Sequence, residues 1–179
     1  NTINYFYDLS KNCKLLISNL ADPCIDLKSV KNRIELEGAR KANLRDGVSL
    51  VKFLYWLKNI KDFDSITEIE AADYLHRLRK KNKLFYSLSF ETISAVGRNS
   101  ALPHYHASKI TNLKLDRDNI YLVDSGAQYK DGTTDITRTI IFGKPSEEIK
   151  DRFTRVLKGH IAIASHVFKK GSTGADIDY

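Results

Sequence analysis

At 179 residues and 20.4 kDa, with 42% hydrophobic side chains, the chain is large enough to pack one domain and too apolar to stay disordered. Its net charge of +7 raises nucleic acid as a partner, but Glu35, Glu37, Asp46, Glu68 and Glu70 interleave with the basic side chains of residues 31–90, the pattern of a solvated, salt-bridged surface. Apolar runs such as Val51 to Leu57, which Lys52 interrupts, fall far short of the roughly 18–20 residues of a membrane span, so no nucleic-acid or membrane partner is expected.

From the N-terminus, Asn1 to Asp26 reads as a linker or the tail of a preceding domain. Leu15, Leu16 and Ile17 suggest a strand there, and Asp22-Pro23 a turn. No small-residue cleavage site follows Tyr5-Phe6-Tyr7, and the two cysteines, Cys13 and Cys24, fit reduced thiols, so a cytoplasmic location is expected. The lack of methionine and the start at Asn1 are the marks expected of a piece of a longer chain.

Residues 31–60 carry a helical pattern, with Leu44, Val48, Val51, Leu54 and Leu57 as its predicted buried stripe. Gly38 and Gly47 fall inside it and suggest close packing against a neighbour or a less regular first half. A second helix is predicted from a capping box at Ser65-Ile66-Thr67-Glu68, with Ile69, Ala72, Leu75 and Leu78 buried. Arg77, Arg79, Lys80 and Lys81 would complement the negative end of its dipole.

Phe85 to Val96 turns to strand character ahead of the breaker Gly97-Arg98-Asn99. Pro103-His104-Tyr105-His106 follows, and in an extended segment its two imidazoles share a face. Read without context, one or both are surface histidines. The same holds for His76, His160 and His166, whose positions on helices give no ligand spacing.

Residues 119–142 predict a strand, a bend and a return strand. Alternation puts Ile120, Leu122 and Asp124 on one face and Tyr121, Val123 and Ser125 on the other. On the return arm Asp135, Thr137, Thr139 and Ile141 share a face. A carboxylate at Asp124 in a half-apolar setting would cost several kcal/mol without a cation or several donors to meet it. Two such carboxylates on one hairpin would repel, and a divalent cation would relieve both. The competing reading is that Asp124 and Asp135 merely cap turns; Asp131-Gly132 is the predicted bend.

Ser146 is predicted to cap a third helix with Glu147 and Glu148 in its first turn. Its stripe runs through Ile149, Phe153, Val156, Leu157, Ile163 and Val167, and Lys169-Lys170-Gly171 closes it. The order of elements is that of an α+β module, an antiparallel sheet covered by helices on one face.

Tyr121 to Thr139, with Asp-Ser-Gly-x-Gln-Tyr followed by Asp-Gly-Thr-Thr-Asp-Ile-Thr-Arg-Thr, closely resembles aminopeptidase P, the Xaa-Pro aminopeptidases of the pita-bread metallopeptidase family. The likeness extends to Ser89-Phe90-Glu91-Thr92-Ile93-Ser94, to Pro103-His104-Tyr105, to Arg45-Asp46-Gly47 and to Leu157-Lys158-Gly159-His160. It implies the first half of a pita-bread fold, with residues 27–179 as the N-terminal portion of the catalytic domain. By the resemblance, Asp124 and Asp135 would hold two divalent ions, usually manganese. His104 would be the substrate-side histidine, and Thr137 would orient the metal-bound solvent. The reaction implied is removal of the N-terminal residue from peptides with proline second, by attack of a metal-bridging hydroxide on the scissile carbonyl. The family's remaining ligands, one histidine and two glutamates, match nothing here, so these residues alone are expected to be inactive. A non-catalytic pita-bread module and a prolidase-type dipeptidase are the alternatives. Half of such a fold would expose apolar helix faces and a sheet edge, so a homo-oligomer is expected.

Overall fold

The computed structural model describes residues 2–13, 20 and 22–178. Residues 1–37 form one compact unit and residues 38–179 another. In the first, helices α1 (Thr2–Cys13) and α2 (Pro23–Ser29) occupy the stretch expected to be a linker. The predicted Asp22-Pro23 turn is a helix start, because Asp22 accepts from the Cys24 amide and proline at the first helical position has no amide to leave unpaired. The strand predicted at Leu15 to Ile17 lies outside the described residues. Cys13 and Cys24 are free and exposed.

Helix α3 (Arg33–Asn59) begins in the first unit and runs through the second. Its buried face is only partly the predicted one, since Leu57 is buried and Leu54 packs against the core as expected. Gly38, Ala42, Asp46, Ser49, Leu50, Phe53 and Leu57 face inward, whereas Leu44 and Val51 are 74% and 66% exposed. The reason is close approach. A Cβ at Gly38 would sit 2.0 Å from the Asp131 carbonyl oxygen, so this face needs small residues before it needs apolar ones. Nothing approaches Gly47 within 4 Å.

Helix α4 (Glu68–Lys80) starts two residues later than predicted, with Thr67 and Glu70 forming the capping box. Glu68 is unavailable as a cap because it is fully buried. Its carboxylate accepts from the amides of Val96 (2.8 Å) and Leu113 (3.0 Å) and from the side chains of Asn99 and Tyr105. Arg79 also departs from expectation. Rather than ending the helix in solvent, it is fully buried and pairs with Asp46 through two bonds of 2.7 and 2.8 Å. Tyr129 donates to the same carboxylate at 2.8 Å. Asp46 and Glu68, read from sequence as surface charges, are interior anchors. Trp56 of α3 stacks on Tyr74 of α4 with centroids 3.9 Å apart.

The predicted strand at Phe85 to Val96 is two strands, β1 (Phe85–Leu88) and β2 (Ile93–Val96), which enter different sheets. The predicted hairpin is likewise more elaborate. After β3 (Tyr121–Ser125) the chain leaves for a short hairpin of β4 (Ala127–Tyr129) and β5 (Gly132–Thr133), then returns as β6 (Ile136–Ile140) beside β3. Two three-stranded antiparallel sheets result, ordered β1-β4-β5 and β2-β3-β6. On the second sheet Val96, Tyr121 and Val123 pack with Leu50, Phe53, Leu57, Ala71 and Leu75 of α3 and α4 in the main core. Helices thus cover one face, and a loop carrying Tyr105 packs on Ile93 and Ala95 of the other.

Helix α5 (Glu147–Ser165) is capped by Ser146 as predicted but ends before Lys169-Lys170-Gly171. None of its residues is buried. Phe153, Val156, Leu157 and Ile163 of the predicted stripe are exposed. Among the described residues no helix is long and apolar enough to cross a membrane.

Candidate metal centre

Antiparallel register decides what the open face of the second sheet presents. Asp124 pairs with Ile93 on one side and with Thr137 on the other. Asp135 precedes Thr137 by two residues, so the pleat returns both to the same face as Asp124. That face is half-apolar as expected, with Leu122 packed against Ile93, Ala95 and Tyr105 on it. Tyr121, Val123 and Ser125 are buried, and Asp124 is half-buried on the opposite side, which reduces the desolvation its charge must bear.

The return of Asp135 beside Asp124 depends on the turn-back at the β4–β5 hairpin. The Thr134 amide donates to the Ala127 carbonyl at 2.9 Å, and the Thr134 hydroxyl accepts from the Ala127 amide at 3.0 Å. Ser89 donates to the Thr134 carbonyl at 3.0 Å. At Gly126, where the chain changes sheets, a Cβ would meet that carbonyl at 2.1 Å and Ser89 Oγ at 2.2 Å, so only glycine lets the strands close. At the far end, Arg45 grips Asp131 with two 2.8 Å bonds and lies over the Tyr129 ring. The hydrogen bond from Arg45 holds the Asp131 carboxyl below its ordinary pKa.

Asp124 and Asp135 line an open cavity of about 430 Å³ together with Phe90, Glu91, Ile93, His104 and His106. Three of the four candidate site residues therefore meet in one cleft. The fourth, Thr137, donates from Oγ1 to Asp124 Oδ1 at 2.8 Å. His104 is not in the extended segment predicted for it. It sits in a turn with φ of +55°, a left-handed conformation that costs a side-chain-bearing residue about 1–2 kcal/mol. Tyr105 points the other way, into the core, and its neighbours on both sides line the cleft. Burial raises the pKa of the Tyr105 hydroxyl, which keeps it a proton donor. His106 Nδ1 lies 3.5 Å from Glu91 Oε2 at the cleft wall.

Glu91 at the cleft wall and Thr134 at the turn-back lie within the stretches Ser89–Ser94 and Asp131–Thr139 of the resemblance without a role of their own there, and Glu68 carries in sequence only the signal of a helix cap. His76 lies against Phe85 at 5.6 Å, and His160 and His166 are exposed, away from the cleft lining.

Among the described residues neither Asp124 nor Asp135 has a cationic side chain as partner. Two neighbouring unpaired carboxylates are the oxygen donors that suit a hard divalent ion, and their mutual repulsion favours one. They fit part of such a site. No group of three or more His, Cys, Asp or Glu side chains able to hold a metal occurs among the described residues.

The model of metallopeptidase family M24 matches residues 37–179. Probable Xaa-Pro aminopeptidases P from two fungi are similar to the chain. That of Arthroderma otae is 47% identical over 164 residues, covering 90% of this chain and 26% of its own length. That of Neosartorya fischeri is 46% identical over 180 residues, covering 99% and 28%. Among solved structures, X-prolyl aminopeptidase from Caenorhabditis elegans, described as a cytosolic enzyme with a di-nuclear active site, matches with a TM-score of 0.79 and 42% identity over 88% of this chain and 26% of that one. The prolidase from Pyrococcus horikoshii matches with a TM-score of 0.76 and 28% identity, covering 98% of this chain and 48% of that one. The chain thus spans about a quarter of the length of the aminopeptidases it matches.

Proposed function

Since the chain belongs to metallopeptidase family M24 and has its pita-bread architecture, we propose that it forms part of an aminopeptidase that removes the N-terminal residue from peptides with proline second. The observation that carries this reading is the convergence of Asp124, Asp135 and His104 on one cleft, on the sheet face opposite the helix-packed core. In it, residues 27–179 are the N-terminal portion of the catalytic domain, and the complete protein is cytoplasmic.

Asp124 and Asp135 would together give carboxylate oxygens to two divalent ions, manganese first among them. When bound, such ions activate water and polarise a carbonyl. The chain's own side chains do the rest. Thr137 occupies one lone pair of Asp124 Oδ1 and so fixes the direction of the remaining ones. His104 would hydrogen-bond the scissile carbonyl oxygen as it gains negative charge. Phe90 and Ile93 give the cleft an apolar patch for the substrate's side chain.

Two carboxylates are too few donors for two coordination spheres, so the 179-residue chain alone is proposed to be inactive. The complete protein, incubated with manganese and the peptide Arg-Pro-Pro, should release free arginine. It should leave Arg-Ala-Pro intact, and the 179-residue chain should release nothing. Absence of proline-dependent release by the complete protein would end the aminopeptidase reading. The likeness to a prolidase supports a competing dipeptidase reading, which instead predicts cleavage of Ala-Pro and not of Arg-Pro-Pro.

A further inference from the structure

We propose that the buried trio Glu68, Asn99 and Tyr105 is a positioning device for His104, an inference that rests on the catalytic reading of that histidine. His104 occupies a conformation that residues with side chains seldom adopt, on an exposed turn outside both sheets. Something must hold it there, and the next residue does. Tyr105 is 7% exposed, packs on Ile93 and Ala95 and donates its hydroxyl hydrogen to Glu68 Oε2 at 2.8 Å. The same hydroxyl accepts from Asn99 Nδ2, also at 2.8 Å.

Each member of the trio is tied to a different part of the fold. Glu68 opens α4 and accepts the backbone amide of Val96, the last residue of β2. Asn99 belongs to the 3-10 turn that follows β2 and donates to the Thr111 carbonyl at 3.1 Å as well as to Glu68. Leu113 beyond the loop also donates its amide to Glu68 Oε2, at 3.0 Å. The loop bearing His104 is therefore fastened at Tyr105, Thr111 and Leu113 to one buried carboxylate and its partner amide. The tyrosine ring is locked inward, and His104 and His106 on either side of it both line the cleft. Glu68 is fully buried and satisfied by donors rather than by a cation, so each of these bonds adds to the hold on the loop.

The test is Tyr105→Phe in the complete, manganese-loaded protein, which removes one hydroxyl and leaves the ring. kcat for Arg-Pro-Pro should fall about tenfold with KM and metal content little changed, since a misplaced group of this kind costs rate rather than binding. In a His104→Ala background the same change should cost nothing further, because residues acting through one another are not additive. A crystal structure of the variant should show His104 relaxed from positive φ, with its ring withdrawn from the cleft. Asn99→Ser provides the same comparison if Tyr105→Phe does not fold. Losses that multiply in the double variant, or a His104 that keeps its conformation in the variant's structure, would overturn the proposal. If His104→Ala alone leaves kcat unchanged, it is the catalytic reading of His104 that fails, and the structure of the variant still decides whether the trio positions it.

Discussion

Thr137 contributes one 2.8 Å hydrogen bond to Asp124, and that bond has no packing role because the residue is exposed. Thr137→Val keeps the shape and β-branching of the strand residue while removing the donor. In the complete protein it should lower manganese affinity or kcat by about 10- to 100-fold, the usual cost of losing such a partner. Titration calorimetry and steady-state rates would show this, with the unfolding midpoint unchanged. Arg45 and Asp131 make the opposite kind of pair, structural and remote from the cleft. Arg45 depresses the Asp131 carboxyl, so its stabilisation is complete above the ordinary carboxylate pKa of about 3.9 and is lost as pH falls through the lower folded value. Arg45→Ala should cost about 1–2 kcal/mol at pH 7 for this part-buried pair, and the difference from the unsubstituted chain should shrink below about pH 4. Urea unfolding from pH 2 to 7 measures it.

Among the helices and strands, burial of charge separates what sequence revealed from what it hid. The helices at 33–59, 68–80 and 147–165 were legible because capping residues and apolar spacing announce them. Their inward faces were legible only in part, at Leu57 of α3 and Leu75 of α4. On α3 the stripe Leu44, Val48 and Val51 is more apolar than the face that is buried, where Gly38, Ala42, Asp46 and Ser49 answer to close approach and ion pairing. Arg79 looked like a solvent-facing C-terminal cation and is instead sealed against Asp46. Arg79→Met, which strands the Asp46 charge in the interior, should destabilise the fold by about 3–5 kcal/mol. A fall in the denaturant midpoint with unchanged slope would register this. The site followed the same rule. Alternation assigned Asp135 and Thr137 to one face, but the three- and two-residue strands β4 and β5 are too short for any periodicity to expose. The two aspartates were therefore expected across a simple bend.

The distribution of apolar surface over the molecule sets its behaviour in solution. Leu44, Val48 and Val51 on α3 and Phe153, Val156, Leu157 and Ile161 on α5 are all exposed. Contiguous patches of this kind drive association. The 179-residue chain is expected to self-associate at crystallisation concentrations, and Val48→Glu with Val51→Glu should reduce the mass seen by light scattering while leaving helix content intact. A monodisperse monomer from the unsubstituted chain would count against it.

The β3 strand belongs to two neighbourhoods at once. Tyr121 and Val123 answer to α3 and α4, while Leu122 packs on Ile93 and Ala95 and Asp124 answers to the open cleft. Because alternate side chains never touch the same surroundings, a change that loosens the interior need not disturb the chemistry, and a change in substrate preference need not loosen the interior. Natural variation can therefore retune the one without first securing the other, along a single ribbon five residues long.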